Sequence, residues 1–384
     1  VSSGQPGTQR AVPFRRLGGL TWAHFLNDGA SNYLPGVLPA VLVTIGQPVQ
    51  MAAVLVTALT VGQALQPVAG RIADRLGGKS LVLIGLAMTS VGGGLIGVVR
   101  STWLLVVLLV LIGVGNAFFH PQAIASVRQM ISGRQGLLTS AFLVGGELGR
   151  GLWPTIASLI VARAGLEYLW LVAVPGVLTL PFLVRWLPAL PPKRARGPAI
   201  QLSVHARPMA LLIGYQGVRM VGIYAFATFI PVLWSQRDQP LVAGASLITT
   251  MMTVGVIGNI GGGYLTDRIG SRATLIISAV GSAVLIVPTA YLTGPMAWAA
   301  AGLLGVMMFL SASTTVLLGQ DIFAENPSMG SGIAIGLANG IGAVLVLVIG
   351  IWVGDSVQPV FWLLGLLSLA SAALVPLFDR RLVG

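Results

Sequence analysis

Four ionisable side chains interrupt stretches that are otherwise apolar: Asp28, Glu147, Arg150 and Arg219. His24 and His120 add two imidazoles in similar surroundings. A charge at the centre of a membrane helix costs about 2.5–3.5 kcal/mol, so a chain keeps one only beside a partner or a wet cavity. Asp28 follows His24 by one helical turn, which puts both on one helix face. Histidine changes charge near neutral pH, so the pair can pass a proton. Glu147 and Arg150 again share a face. Two acids and an imidazole (Asp28, Glu147 and His24) can therefore carry protons. Two guanidinium forks match carboxylate or phosphonate oxygens, which suits an anionic or amphiphilic organic molecule. Asn27, Tyr33, Asn116, His120, Gln216 and Tyr224 either line a pocket with Arg150 and Arg219 or pack the core. No nucleophile or phosphate loop accompanies these groups, so an enzyme is not expected. His24, Asp28 and His120 are three scattered ligands and a weak metal signal. No metal and no cofactor are expected, the coupling ion being the proton.

The elements that position these residues follow from composition. Charged residues make up 8% of the chain and apolar ones 55%, whereas a soluble domain carries about 25% charged. Long apolar runs recur, each close to the ~20 residues needed to cross hydrocarbon. They fall at 17–45, 51–72, 80–99, 102–122, 137–161, 167–187, 209–234, 241–263, 273–293, 296–318, 330–353 and 358–378. Lipid demands that backbone groups be satisfied within a segment or a closed barrel. The short alternating strands of a barrel are absent. The expected fold class is all-α integral membrane, with twelve transmembrane helices. The first apolar run is too long and too polar for a cleavable signal peptide.

Net charge is +12. Most cations, including Arg71, Arg75, Lys79, Arg128, Arg134, Lys193, Arg194, Arg268, Arg272, Arg380 and Arg381, fall in alternate breaks between the runs. That bias is the positive-inside rule and puts both termini in the cytoplasm. The basic clusters are topology determinants and lipid-phosphate contacts, and nucleic acid is not an expected partner. Cysteine is absent, which excludes disulfides and thiolate chemistry.

A cationic turn occurs twice, half a chain apart: Gly70-Arg71-Ile72-Ala73-Asp74-Arg75-Leu76-Gly77-Gly78-Lys79 and Gly263-Tyr264-Leu265-Thr266-Asp267-Arg268-Ile269-Gly270-Ser271-Arg272. Thr60-Val61-Gly62 matches Thr253-Val254-Gly255, and Leu38-Pro39 matches Ile230-Pro231. A duplicated unit is the mark of many transporters. Pro191, Pro192, Lys193, Arg194, Arg196 and Pro198 define a linker between the copies. The expected organisation is a tail at 1–16, a six-helix bundle at 17–187, a linker at 188–208, a second six-helix bundle at 209–379 and a tail at 380–384. Glycine rows (Gly62 and Gly70, Gly255 and Gly263, Gly336 and Gly340) are spaced for close helix contact, as static packing or as smooth faces along which the bundles rock.

The G-x-x-x-D-R-x-G-x-[RK] turns after helices 2 and 8, with six plus six helices, resemble the major facilitator superfamily. That resemblance implies two pseudo-symmetric bundles and alternating access. It gives a conformational gating role to Gly70, Asp74, Arg75, Gly77, Lys79, Gly263, Asp267, Arg268, Gly270 and Arg272, through pairing with neighbouring helix ends. It also implies that helices 1, 4, 7 and 10 line the cavity, with Asp28 and Arg219 approaching from opposite halves. His24-Phe25-Leu26-Asn27-Asp28, Phe119-His120-Pro121 and Val144-Gly145-Gly146 are similar to the fosmidomycin resistance branch of drug/proton antiporters. Gln122, Glu147 and Arg150 depart from that branch, and the departures touch the expected pathway. The resemblance implies a monomeric, proton-coupled exporter of a small organic molecule in a bacterial inner membrane. An organic-anion symporter or facilitator, or a metal-ion exporter, are the alternatives.

Overall fold

A computed structural model of the chain describes residues 14–77, 79–130, 135–187, 202–323 and 327–379. Every regular element among the described residues is helical. In chain order they are α1 (Phe14–Asn32), α2 (Leu34–Ile45), α3 (Met51–Gln63), α4 (Gln66–Leu76), α5 (Ser80–Leu95), α6 (Thr102–Met130), α7 (Gln135–Ala164), α8 (Ala173–Trp186), α9 (Leu202–Ser235), α10 (Leu241–Thr289), α11 (Pro295–Leu310), α12 (Ala312–Ile322), α13 (Pro327–Trp352) and α14 (Gln358–Leu374). Short 3₁₀ turns occupy Leu166–Val172 and Val375–Leu377. Seven helical stretches among the described residues are long and apolar enough to cross a bilayer.

Several breaks have local causes. Tyr33 separates α1 from α2, and Pro35 sits in the first turn of α2, where its missing N–H removes no helical bond. Gly46, at φ 63°, ends α2 in the left-handed conformation. Gly270 adopts φ 83° and ψ 160°, a backbone shape that a side chain would strain, and kinks α10 there. The second cationic turn thus joins two helical stretches of α10 that meet at Gly270. The linker is also shorter than expected. Helix α9 begins at Leu202, so His205 and Pro208 stand on its first turns. His205 packs against Phe323 at 4.5 Å between ring centroids, and Met209 and Leu212 join a buried apolar cluster, which extends the helix back toward the linker. Residues 188–201 lie outside the described residues.

Helix α1 packs along α7, α3 and α5 pack on α6, and α10 packs on α11 and α14. The first part of the chain meets the second where α7 packs on α10, α3 on α13 and α9, and α2 on α9 and α10. Hydrogen bonds concentrate these contacts at the end of the molecule that holds the α2–α3 connection. Gln50 donates to the Val353 carbonyl at 2.9 Å and Thr57 to the Ala343 carbonyl at 3.2 Å. Thr249 donates to the Gly151 carbonyl at 2.6 Å and lies 2.6 Å from the Thr155 hydroxyl.

The α1–α7 contact depends on absent side chains. A Cβ on Gly145 would lie 2.6 Å from the Thr21 carbonyl oxygen, and one on Gly149 would lie 2.3 Å from that of Phe25. From the facing helices, a Cβ on Gly29 of α1 would meet the Trp153 ring and one on Gly36 of α2 the Pro154 carbonyl. The glycine rows read from the repeat behave differently. Gly62 packs on α6 and Gly255 on α11, each inside its own part of the chain, while Gly263, Gly336 and Gly340 have no neighbour within 4 Å of a built Cβ. Contact across the two parts uses Gly151 and Gly350 instead, against Thr253 and Ala53. Gly149→Ala should therefore lower the melting midpoint of detergent-solubilised protein, by about 1–3 kcal/mol of overpacking. Gly263→Ala should leave the midpoint unchanged.

Candidate functional site

Asp28 lies on α1 with a side-chain exposure of 3%. Five neighbours from three helices surround its carboxylate. On α1 itself, the Asn27 amide donates to Oδ1 at 3.1 Å and His24 Nε2 lies 3.5 Å from Oδ2. From α6, Asn116 donates to Oδ1 at 3.2 Å and His120 Nε2 lies 3.2 Å from the same oxygen. From α7, Arg150 Nε lies 3.4 Å from Oδ2. Helix α7 comes this close because residue 146 is glycine: a Cβ there would stand 2.3 Å from His24 Nε2 and 2.9 Å from Asp28 Oδ2.

The histidines are fixed in orientation. His24 Nδ1 faces the Phe142 carbonyl at 2.9 Å, and its ring stacks on Phe142 at 4.3 Å. His120 Nδ1 faces the Asn116 carbonyl, also at 2.9 Å. A carbonyl only accepts, so both Nδ1 atoms carry the proton. In neutral rings both Nε2 atoms are then lone pairs, and they stand 3.2 Å apart beside a carboxylate. Arg150 balances the carboxylate but does not stand between the two nitrogens. The close approach requires one more positive centre among these three groups.

The three groups that looked scattered in sequence thus form one cluster. Glu147 does not pair with Arg150 as their shared helix face suggested. Arg150 turns to Asp28, and Glu147 accepts from Asn259 of α10 at 3.3 Å. Asn259 in turn accepts from Ser313 of α12 at 2.7 Å. Arg219 does not meet Asp28 either. Its Nε donates to Gln216 at 3.0 Å and its Nη1 to the Met308 carbonyl at 3.2 Å. Glu147 is the acid that acts electrostatically on Arg219, and Tyr224 feels both Arg150 and Arg219. Arg150, Arg219, Tyr224 and Glu147 therefore share one region. Arg150 is the open member, with 48% of its side chain exposed.

Several expected pocket residues support the site from behind. Asn27 is fully buried and accepts from Thr89 at 3.0 Å. Tyr33 is fully buried and donates to the Gly93 carbonyl at 2.5 Å, tying α1's end to α5 rather than facing a ligand. Gln216 is buried beneath Arg219. Asn116 also donates to Ser31 at 2.9 Å, and Asn32 accepts from Gln63 at 3.2 Å. Ser31, Asn32, Gln63, Thr89, Asn259 and Ser313 were not singled out for the site. The polar run from Asn27 to Asn32 inside an apolar helix was the available signal.

The cationic turns show no ion pairing among the described residues, where all three ion pairs are at Asp28. The Asp74 side chain lies outside the described residues. Gly70 makes only ordinary contact with Pro121, and Gly77 ends α4 at φ 62°. Arg75 is exposed, and Lys79 donates to the Val184 carbonyl at the end of α8. Asp267 is exposed, Arg268 lies over the Tyr264 ring at 4.8 Å, and Arg272 is half-buried. Gln122 was expected to touch the pathway. It is buried, accepts from the Val82 N–H at 3.0 Å and donates to the Gly77 carbonyl at 2.9 Å. An acid could only accept there. The amide ties α6 to the first turn.

The Major Facilitator Superfamily model matches residues 20–339. The chain belongs to the major facilitator superfamily. This facilitator is 25% identical to the fosmidomycin resistance protein of Escherichia coli (strain K12), over 97% of this chain and 95% of that protein. It is 27% identical to YfnC, an uncharacterised MFS-type transporter of Bacillus subtilis (strain 168), over 84% of this chain and 82% of the relative. Among solved structures, the nucleoside transporter NupG superposes with a TM-score of 0.77 at 14% identity, covering 95% of this chain and 100% of NupG. At that identity the likeness concerns the fold alone. The facilitator is a multi-pass membrane transporter.

The contrast between the exposed guanidinium and the sealed carboxylate is open to labelling, since the chain has no cysteine to give background. Arg150→Cys should react with a membrane-impermeant maleimide roughly tenfold or more faster than Asp28→Cys.

Proposed function

We propose that this facilitator is a proton-coupled exporter of small organic molecules, working by alternating access. The observation that carries the reading is the contact of half-exposed Arg150 with the buried His24–Asp28–His120 cluster. A solute that engages the guanidinium acts on the same charge balance that holds the proton. In this reading twelve spans form two bundles at 17–187 and 209–379, joined at 188–208. Helices α1 with α2, α3 with α4, and α11 with α12 each build one span, and α10 builds two. Asp28, Glu147 and His24 carry protons. Arg150, Arg219 and Tyr224 meet the substrate, with His120 at their edge. The repeated turns, from Gly70 to Lys79 and from Gly263 to Arg272, gate the cytoplasmic end.

The protein works as a monomer in a bacterial inner membrane, with both termini cytoplasmic by the distribution of Lys and Arg. The end clasped by Gln50, Thr57 and Thr249 is then the outer one.

Electrostatics sets the sign of coupling. A neutral or cationic amphiphile that presses on Asp28 competes with the proton and gives antiport. The likeness to a fosmidomycin resistance protein supports that direction. An organic anion that draws Arg150 from Asp28 strengthens the cluster's hold on its proton, and the two then move together. The pair of arginines supports this second reading, a symporter.

Purified protein in weak buffer distinguishes them. Adding substrate should release protons in antiport and take them up in symport. Asp28→Asn should abolish the signal, and Glu147→Gln should reduce it. A substrate that binds with no proton movement in wild type would remove proton coupling altogether.

A further inference from the structure

We propose that His24, His120 and Asp28 form a binding site for one divalent d-block cation of the Zn²⁺ class. The dimensions are those of a metal site. Zinc binds imidazole nitrogen and carboxylate oxygen at about 2.0–2.2 Å in tetrahedral geometry, which places neighbouring ligand atoms about 3.3 Å apart. Here the two Nε2 atoms are 3.2 Å apart, His120 Nε2 is 3.2 Å from Asp28 Oδ1, and His24 Nε2 is 3.5 Å from Oδ2. The two imidazole nitrogens already stand at ligand spacing, the carboxylate presents one oxygen to each, and Arg150 must give way for the ion to enter.

The surroundings match as well. A histidine that binds metal through one nitrogen donates its other N–H to a carbonyl or carboxylate, which sets the tautomer and aims the ring. Both imidazoles do this, His24 toward Phe142 and His120 toward Asn116. Stacking on Phe142 holds the His24 ring further. The carboxylate is oriented by the Asn27 and Asn116 amides. Gly146 keeps side-chain bulk off the triangle, and His120, at 17% side-chain exposure, gives access from outside. Two imidazoles with one carboxylate select zinc, cobalt or nickel over magnesium or calcium, which take oxygen ligands. The divalent ion supplies the positive centre that the facing nitrogens require. Arg150 yields Oδ2 and turns toward the cavity.

The ion site requires only the triangle and stands apart from the transport reading. Coupled transport without zinc binding would sink it, and zinc binding without coupled transport would leave it intact. Tag-free, chelator-stripped protein is titrated with Zn²⁺ and Co²⁺ at mildly alkaline pH, by calorimetry and visible absorption. One ion per chain should bind, and Co²⁺ should show the intense band of tetrahedral coordination. His120→Ala should weaken binding about a hundredfold or more, beyond the 10–100-fold that outer partners alone contribute. His120→Cys should restore it with a thiolate, a control on folding. His205→Ala, at the third and last histidine, should change nothing. Equal affinity in wild type and His120→Ala, the weak band of octahedral Co²⁺, or no binding in the micromolar range would each overturn the proposal.

Discussion

One carboxylate organises the first half of this transporter. Asp28 is sealed among apolar side chains, and α1, α6 and α7 each direct polar groups at it. Removing one partner from a buried charge costs about 3–5 kcal/mol, far more than an exposed pair contributes. The close run of α7 along α1, the orientation of both histidines and the position of Arg150 all answer to that constraint. The glycines at 145, 146 and 149 are its steric counterpart, because no side chain fits between the helices once α7 has approached far enough for Arg150 to reach.

The second half supplies a different kind of contact. Glu147 reaches across to Asn259, which holds Ser313, so an acid on α7 is joined to α10 and α12 by neutral groups. Such bonds are individually worth about 1 kcal/mol. The threonine and glutamine contacts at the clasped end have the same character. Charge–charge contact is kept within one half, and single hydrogen bonds join the two halves.

The broad plan was legible because hydrocarbon imposes it. Apolar runs, the repeat and the four charges within apolar runs could be read directly, and the family match agrees with the likeness seen in the repeated turns and in the His24–Asp28 segment. Pairing was not legible. Spacing places Glu147 and Arg150 on one face but cannot say that Arg150 reaches to α1 while Glu147 faces α10. The three-way meeting of His24, Asp28 and His120 depends on how α1 docks on α6, which no local pattern encodes. Tyr33 and Asn27 show the opposite failure: their polar groups suggested a pocket, yet each satisfies a buried partner behind it. A buried hydroxyl or amide needs a hydrogen bond whether or not a ligand exists.

The tie between His24 and the Phe142 carbonyl spans two helices, α1 and α7, whereas His120 is tied to a carbonyl on its own helix. Sliding α7 along α1 breaks the first tie and spares the second. A single backbone oxygen thus makes the orientation of one imidazole, and not of the other, depend on how α7 sits against α1.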